Sequence, residues 1–134
     1  AENVNISSSS VIWVSKFSDN FGYDISSTAG KLITDKPNQR IFIEVKASQL
    51  RYSSMFRFFL SRNEWETALK NPDTYFLYLW NDIDLENQKP PSGPWVLLAR
   101  QLFDMIPSEK SDSCKWMELQ IVLDLANVQH QLLV

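Results

Sequence analysis

The 134-residue sequence predicts a mixed α/β (α+β) fold, with a central β-sheet flanked by helices. Three observations support this prediction. Segments rich in β-branched and aromatic residues follow one another before residue 50. A helix with a clear start signal follows at Ser61–Glu64, and a nearly continuous apolar strand, Thr74–Trp80, comes after it. Hairpins followed by a helical crossover are typical of a sheet with both antiparallel and parallel pairs.

Two strands are predicted before residue 30, at Val11–Phe17 and Phe21–Ser26. Gly22 indicates a bulge or a close backbone approach just before Asp24. Turn-forming residues between positions 29 and 38 predict that a hairpin leads to the next strand.

The third strand, Gln39–Ser48, carries the chemistry. Residues two apart on a strand face the same side, so Glu44 and Lys46 lie together on one face. A purely structural apolar strand has no need of an adjacent acid and base, whereas a site for a divalent metal and a water has. The opposite face is aliphatic and is formed by Ile41, Ile43 and Val45.

The second half of the chain predicts one clear helix among further strands. Ser61–Glu64 matches a capping box, which assigns Glu64 to the helix cap rather than to a metal, and Asn71–Asp73 ends the helix. One apolar helix face is predicted from Trp65, Ala68 and Leu69. The other predicted elements are a short extended Phe56–Leu60, a loop at 81–93, a strand Trp95–Leu98, a short helix over 99–105, and a last strand Met117–Leu125 that also suits a helix.

Length and composition favour one domain at 11–134, with 1–10 as a linker or the cut edge of a longer chain. The net charge of −3 argues against tight non-specific DNA binding by the domain alone, although a local basic patch is compatible with it. Cys114 is the single cysteine, so no internal disulfide or zinc cluster is expected. No apolar run suits a membrane span or a signal peptide, and a cytoplasmic (intracellular) protein is expected.

Asp24, Glu44 and Lys46 form the candidate catalytic group. Two carboxylates from neighbouring strands suit a hard cation such as Mg²⁺ or Mn²⁺, and the backbone carbonyl of Val45 could add a third ligand. The metal would lower the pKa of a water and neutralise charge on a phosphate, while Lys46 would orient or help to deprotonate that water. These residue types fit phosphodiester hydrolysis without a covalent intermediate.

The pattern Asp24, then Glu44-Val45-Lys46, resembles the PD-(D/E)XK nuclease superfamily. A closer resemblance, over roughly residues 11 to 100, is to the C-terminal domain of the plant NO VEIN protein and its bacterial relatives. It is carried by Phe21–Ser26, Ile43–Ser48, Phe59–Trp65 with Ala68, and Tyr75–Tyr78. The resemblance implies a restriction-endonuclease-like core, with Asp24 and Glu44 as metal ligands and Lys46 as the catalytic lysine. Because bacterial relatives are often attached to helicase, ATPase or restriction-system proteins, it also implies such partners.

The chain departs from the superfamily at two points. The leading helix, which often contributes another acidic residue, has no counterpart because residues 1–10 do not look helical. Tyr23 stands where the superfamily has its proline.

Five residues near the candidate site are predicted to contact nucleic acid. Arg51, Arg57 and Arg62 would bind phosphates, or else form a solvated rim in which the stem of Arg57 covers apolar surface. Tyr52 would stack on a base, or else be a half-buried aromatic residue. Asn63 would face the site, or else be an exposed residue at the helix start.

The leading hypothesis is a metal-dependent DNA endonuclease module of a restriction or defence protein. The alternative is a non-cleaving nucleic-acid-binding or protein-interaction module on the same fold, and a reader of modified DNA is a third possibility. A homodimer is left open. Nucleotide-dependent motors and serine hydrolases are disfavoured, because the chain has 3 glycines and 1 histidine, and neither a Gly-rich phosphate loop nor a Ser-His-Asp arrangement.

Overall fold

The computed structural model has a mixed α+β architecture, as the sequence predicts. Its strands are β1 (Ile12–Trp13), β2 (Ile25–Thr28), β3 (Arg40–Ala47), β4 (Met55–Ser61), β5 (Tyr75–Asn81), β6 (Ser92–Leu98) and β7 (Glu118–Asp124). Its helices are α1 (Arg62–Lys70), α2 (Ala99–Leu102) and a 3-10 helix, Leu125–Asn127. The structure describes residues 11–14, 21–28, 39–49, 54–82, 84, 86–88, 91–107 and 113–128. Neither α-helix within these ranges is long and apolar enough to cross a membrane.

Five strands form the central sheet in the order β1-β2-β3-β5-β6. The pairs β1–β2, β2–β3 and β5–β6 are antiparallel, whereas β3–β5 is parallel. The crossover from β3 to β5 contains β4 and α1, so a fourth strand precedes the helix. The prediction that Thr74–Trp80 is a central strand is confirmed, since β5 lies between β3 and β6.

The main hydrophobic core lies between one face of the central sheet and a layer made of α1, α2 and the antiparallel pair β4–β7. β5 contributes Tyr75, Leu77 and Leu79, all fully buried. A second, smaller cluster covers the opposite face of the sheet, where Ile41 and Ile43 are buried as predicted. Both faces of β3 are therefore largely enclosed.

Helix α1 begins and ends where the sequence predicts. Ser61 is its N-cap, with both hydrogen bonds of the capping box formed, and Asn71 is its C-cap. The predicted apolar face is correct for Trp65 and Ala68 but wrong for Leu69, which is 46% exposed. At 100° per residue, the centre of the buried arc lies between Trp65 and Ala68, and Leu69 falls at its margin.

Several predicted boundaries need correction. Phe21–Asp24 is a turn and not a strand, because Gly22 has a φ of +74° and breaks the extended backbone. The predicted loop at 81–93 is shorter, since β5 runs to Asn81 and β6 starts at Ser92, and these two residues pair. The short helix over 99–105 ends at Leu102. The last strand, predicted over Met117–Leu125, is confirmed as β7 with bounds of Glu118–Asp124, and it pairs with β4 outside the central sheet.

Candidate active site

β3 places the acid and the base of the candidate site on the face of the main core. Glu44 lies beside Leu77 and Lys46 beside Leu79 in the parallel register with β5. The Glu44 side chain is 9% exposed and that of Lys46 is 15% exposed. Their polar ends therefore need partners within the protein, and they provide one for each other, with Lys46 Nζ at 3.2 Å from Glu44 Oε1.

Asp24 is fastened to the same strand, on its β2 side. Its backbone N–H donates to the carbonyl of Ile43 at 2.9 Å, and its Oδ2 accepts the N–H of Val45 at 2.9 Å. Because the N–H and C=O of one strand residue point to the same side, the Val45 carbonyl also faces the Asp24 side. The structure thus places Asp24 beside the stretch of β3 that contains Glu44 and Val45.

Glu64, in the first turn of α1, also belongs to this group of side chains, and sequence reasoning did not predict that. Its carboxylate accepts hydrogen bonds from Lys46 Nζ, at 3.0 Å to Oε1 and 3.1 Å to Oε2. Oε2 also accepts a hydrogen bond from the Ser61 N–H at 2.9 Å. The capping role that the sequence predicts is confirmed, but the same carboxylate holds Lys46. The sequence contained a signal for the contact with Lys46, because the capping box fixes Glu64 at the N-terminal end of a helix that follows β3 closely along the chain.

The charges of this group perturb one another strongly. Burial raises the pKa of Glu44 to about 8; the neighbouring Glu64 and Asp24 add to the rise, and Lys46 opposes it. For Lys46, burial lowers the pKa, but the attraction of Glu44 and Glu64 outweighs burial and the net pKa is raised. The burial of Glu44 therefore favours its protonated form, while the neighbouring carboxyls keep Lys46 an ammonium ion at neutral pH.

The turn that carries Asp24 is held between β5 and α1. The Tyr75 hydroxyl donates to the carbonyl of Gly22 at 2.7 Å, and burial, followed by the charges of Glu44, Glu64 and Asp24, raises the Tyr75 pKa. A side chain at Gly22 would collide with the Thr67 side chain and approach the Asn63 carbonyl to 2.9 Å. The predicted close backbone approach at Gly22 is confirmed. Sequence reasoning did not identify Tyr75, which resembles any other core aromatic residue of a buried strand.

The residues predicted to contact nucleic acid are dispersed. Arg51 and Tyr52 lie outside the described residues. Arg57 is exposed on the outer face of β4, because Phe56 and Phe58 on either side of it face the core. Arg57 therefore does not belong to the predicted cluster of arginines beside the acidic group.

Arg62 and Asn63 begin α1, close to Glu64. The Arg62 side chain is only 14% exposed, because it lies over the Trp116 ring at 5.1 Å and pairs with Glu66 at 3.1 Å. Asn63 is exposed, and its carbonyl lies against Gly22. Of the predicted contacts within the described residues, Asn63 is therefore the one next to the turn that carries Asp24.

The donor atoms around Asp24 and Glu44 suit a hard cation. No group of three or more His, Cys, Asp and Glu side chains placed to hold a metal is found among the residues that the structure describes. Mg²⁺, however, usually takes one or two protein carboxylates and keeps several waters. By chemical type, two carboxylates and a strand carbonyl are ligands that Mg²⁺ or Mn²⁺ would accept, whereas zinc prefers nitrogen and sulfur.

Comparison with known proteins gives a match to a family model. The model of the family described as "Protein NO VEIN, C-terminal" matches residues 1–91, which is more than half of the chain. No curated protein and no solved structure matches. The resemblance to the NO VEIN C-terminal domain that the sequence motifs indicate is therefore confirmed at the level of the family.

Proposed function

The chain belongs to the family of the C-terminal domain of protein NO VEIN, and on this premise we propose that it is a PD-(D/E)XK-type nuclease domain that hydrolyses DNA phosphodiester bonds. The observation that carries the proposal is the hydrogen bond from Val45 N–H to Asp24 Oδ2, 2.9 Å long. It holds an aspartate from the turn before β2 against the Glu-x-Lys segment of β3. An aspartate beside a Glu-x-Lys segment would suit metal-dependent hydrolysis without a covalent intermediate.

Each residue has a distinct role in the proposal. Asp24 and Glu44, with the carbonyl of Val45, would hold Mg²⁺ or Mn²⁺. When bound, such an ion acts as a Lewis acid on a phosphoryl oxygen. Lys46 carries a raised pKa and is charged at neutral pH, so it would orient the attacking water and stabilise developing negative charge rather than remove a proton.

The proposed setting follows from the same reasoning. The chain would act on DNA inside the cell, as one module of a longer restriction or defence protein that includes or recruits a helicase or ATPase. Its net charge of −3 supports a module that depends on other parts of its protein for DNA affinity. Asn63, at the rim of the site, would approach the phosphates that flank the scissile bond.

The test is cleavage of plasmid and single-stranded DNA with Mg²⁺ or Mn²⁺, comparing wild type with Asp24→Asn, Glu44→Gln and Lys46→Ala. Each variant should lose activity by about 10²- to 10⁴-fold. Glu66→Gln, which changes a half-exposed carboxylate on α1, is the matched control and should cut as well as wild type. A wild-type protein that cuts neither substrate, or active-site variants that cut as well as the control, would reject the proposal.

A second candidate, a non-cleaving binding module on the same fold, is favoured by a different observation. The buried charges already satisfy one another, because Lys46 contacts both Glu44 and Glu64. Exposed aromatic residues, Trp13 at 61% and Phe21 at 47%, offer contact area for a partner. This candidate predicts DNA binding by fluorescence anisotropy without cleavage, and binding that Lys46→Ala leaves unchanged.

A further inference from the structure

We infer that Glu64 is a positioning residue that fixes the ammonium group of Lys46 in the site. The inference deepens the proposed function and rests on it for the role of Lys46 in hydrolysis. Glu64 would touch neither the substrate nor the metal, and it would act through Lys46.

The orientation of the Glu64 carboxylate is fixed from two sides. Oε2 accepts the Ser61 N–H at 2.9 Å, while the Ser61 hydroxyl accepts the N–H of Glu64 at 3.1 Å. Since Ser61 is also the last residue of β4, the carboxylate is tied to both the helix and the strand. A carboxylate held in this way gives a defined position to the flexible four-carbon stem of Lys46.

Helix capping alone does not account for this arrangement. A capping box needs one acceptor for the N-cap amide, and glutamine provides it as well as glutamate. Here Oε1 is directed at Lys46 Nζ at 3.0 Å, and Glu64 is only 16% exposed, so a negative charge is kept where a neutral amide would satisfy the cap.

Glu44 is the other carboxylate next to Lys46, at 3.2 Å. In the proposed reaction Glu44 would be a metal ligand, and the metal would then compete with Lys46 for the charge of Glu44. Glu64 is the partner that stays available throughout, which makes it the residue that determines where the ammonium lies.

Three single substitutions separate positioning from capping. Glu64→Gln keeps an acceptor for the Ser61 amide and removes the charge that faces Lys46. Ser61→Ala removes the hydroxyl half of the box and leaves the carboxylate in place. Glu66→Gln makes the same charge change two positions along α1, at a side chain that pairs with Arg62.

Positioning predicts different effects on kcat for the first two variants. Glu64→Gln should lower kcat by about 10- to 100-fold with KM nearly unchanged, and it should also lower the melting temperature, because the largely buried Lys46 ammonium loses a counter-charge. Ser61→Ala should lower the melting temperature and retain kcat. In a Lys46→Ala background, Glu64→Gln should have no further effect on cleavage, because the group it positions is gone.

A second readout does not depend on activity. ¹⁵N relaxation of the Lys46 ammonium at a fixed acidic pH should show an ordered group in wild type, Ser61→Ala and Glu66→Gln, and a mobile one in Glu64→Gln. If wild type does not cut DNA, the proposed function fails, and this measurement alone decides the inference. Full kcat in Glu64→Gln, or a Lys46 ammonium as ordered in Glu64→Gln as in wild type, overturns the positioning role.

Discussion

Replacing Glu44 by glutamine should stabilise the protein, and the gain should grow with pH. The pKa of Glu44 is 4.5 in the unfolded chain and about 8 in the folded protein, mainly because of burial. Between these values the folded state binds more protons than the unfolded state, so the free energy of unfolding falls as the pH rises. Glutamine has no such proton, and the variant avoids this loss.

The size of the effect follows from the shift. Each pKa unit corresponds to about 1.4 kcal/mol, so the rise from 4.5 to about 8 sets an upper limit of roughly 5 kcal/mol at and above pH 8. The 9% exposed side chain leaves little solvent screening to reduce it. Loss of the contact with Lys46 offsets part of the gain, and a few kcal/mol is a large fraction of the stability of a small domain.

The assay is urea denaturation in a chelating buffer at several pH values between about 5 and 8. The difference in unfolding free energy between Glu44→Gln and wild type should be near zero at the acidic end and largest at the basic end. Glu66→Gln is the control for loss of a carboxylate, because its 46% exposed side chain forms only an i,i+4 surface pair. A difference that does not change with pH, or a variant less stable than wild type at pH ~8, would refute the assignment of a buried, proton-binding Glu44.

Three further substitutions test the surroundings of the site. Gly22→Ala should cost about 2 kcal/mol or more, from the left-handed backbone and the clash with Thr67, and an unchanged melting temperature would contradict the close packing against α1. Tyr75→Phe leaves the buried Gly22 carbonyl without its donor and should cost about 1–2 kcal/mol by urea denaturation, whereas no loss would mean that the hydrogen bond contributes nothing. Ser61→Ala should cost about 1 kcal/mol in the same assay, and a stability equal to wild type would argue against the N-cap.

The parts of the fold that follow from local rules were predictable from the sequence. The period-two alternation of β3 and the capping box of α1 both depend on residues within a few positions of one another. A strand period places Glu44 and Lys46 on one face whatever the rest of the chain does. The turn before Asp24 was partly predictable, since Gly22 indicated a close approach, although not the partner that it approaches.

The parts that depend on distant pairing were not predictable in the same way. β4 pairs with β7 from Met55↔Asp124 to Ser61↔Glu118, across most of the second half of the chain. Locally, Met117–Leu125 suits a helix as well as a strand. The choice is made by packing, because the strand conformation buries Ile121 and Leu123 against the main core and exposes Val122. The partial alternation within the segment favours a strand, but it does not identify β4 as the partner.

The candidate site was only half predictable for a related reason. Sequence reasoning paired Glu44 with Lys46 and explained the pair by a metal and a water, because a purely structural apolar strand has no need of such a pair. The structure supplies compensation from a third side chain, Glu64, whose position depends on how α1 packs against β3. With a proton on Glu44, the ammonium of Lys46 balances the charge of Glu64, and Asp24 is the remaining carboxyl of the group.

The pairing of these charges bears on the stability of the fold. A site made only of buried carboxylates would need a cation to form, since isolated buried charges are costly. Here the raised pKa of Glu44 and the Lys46 ammonium meet part of that need. Because a ligating carboxylate must be ionised, binding of Mg²⁺ to Glu44 would release a proton. The acid and base on β3 therefore serve the fold with one arrangement of charge, and in the proposed reaction they would serve hydrolysis with another.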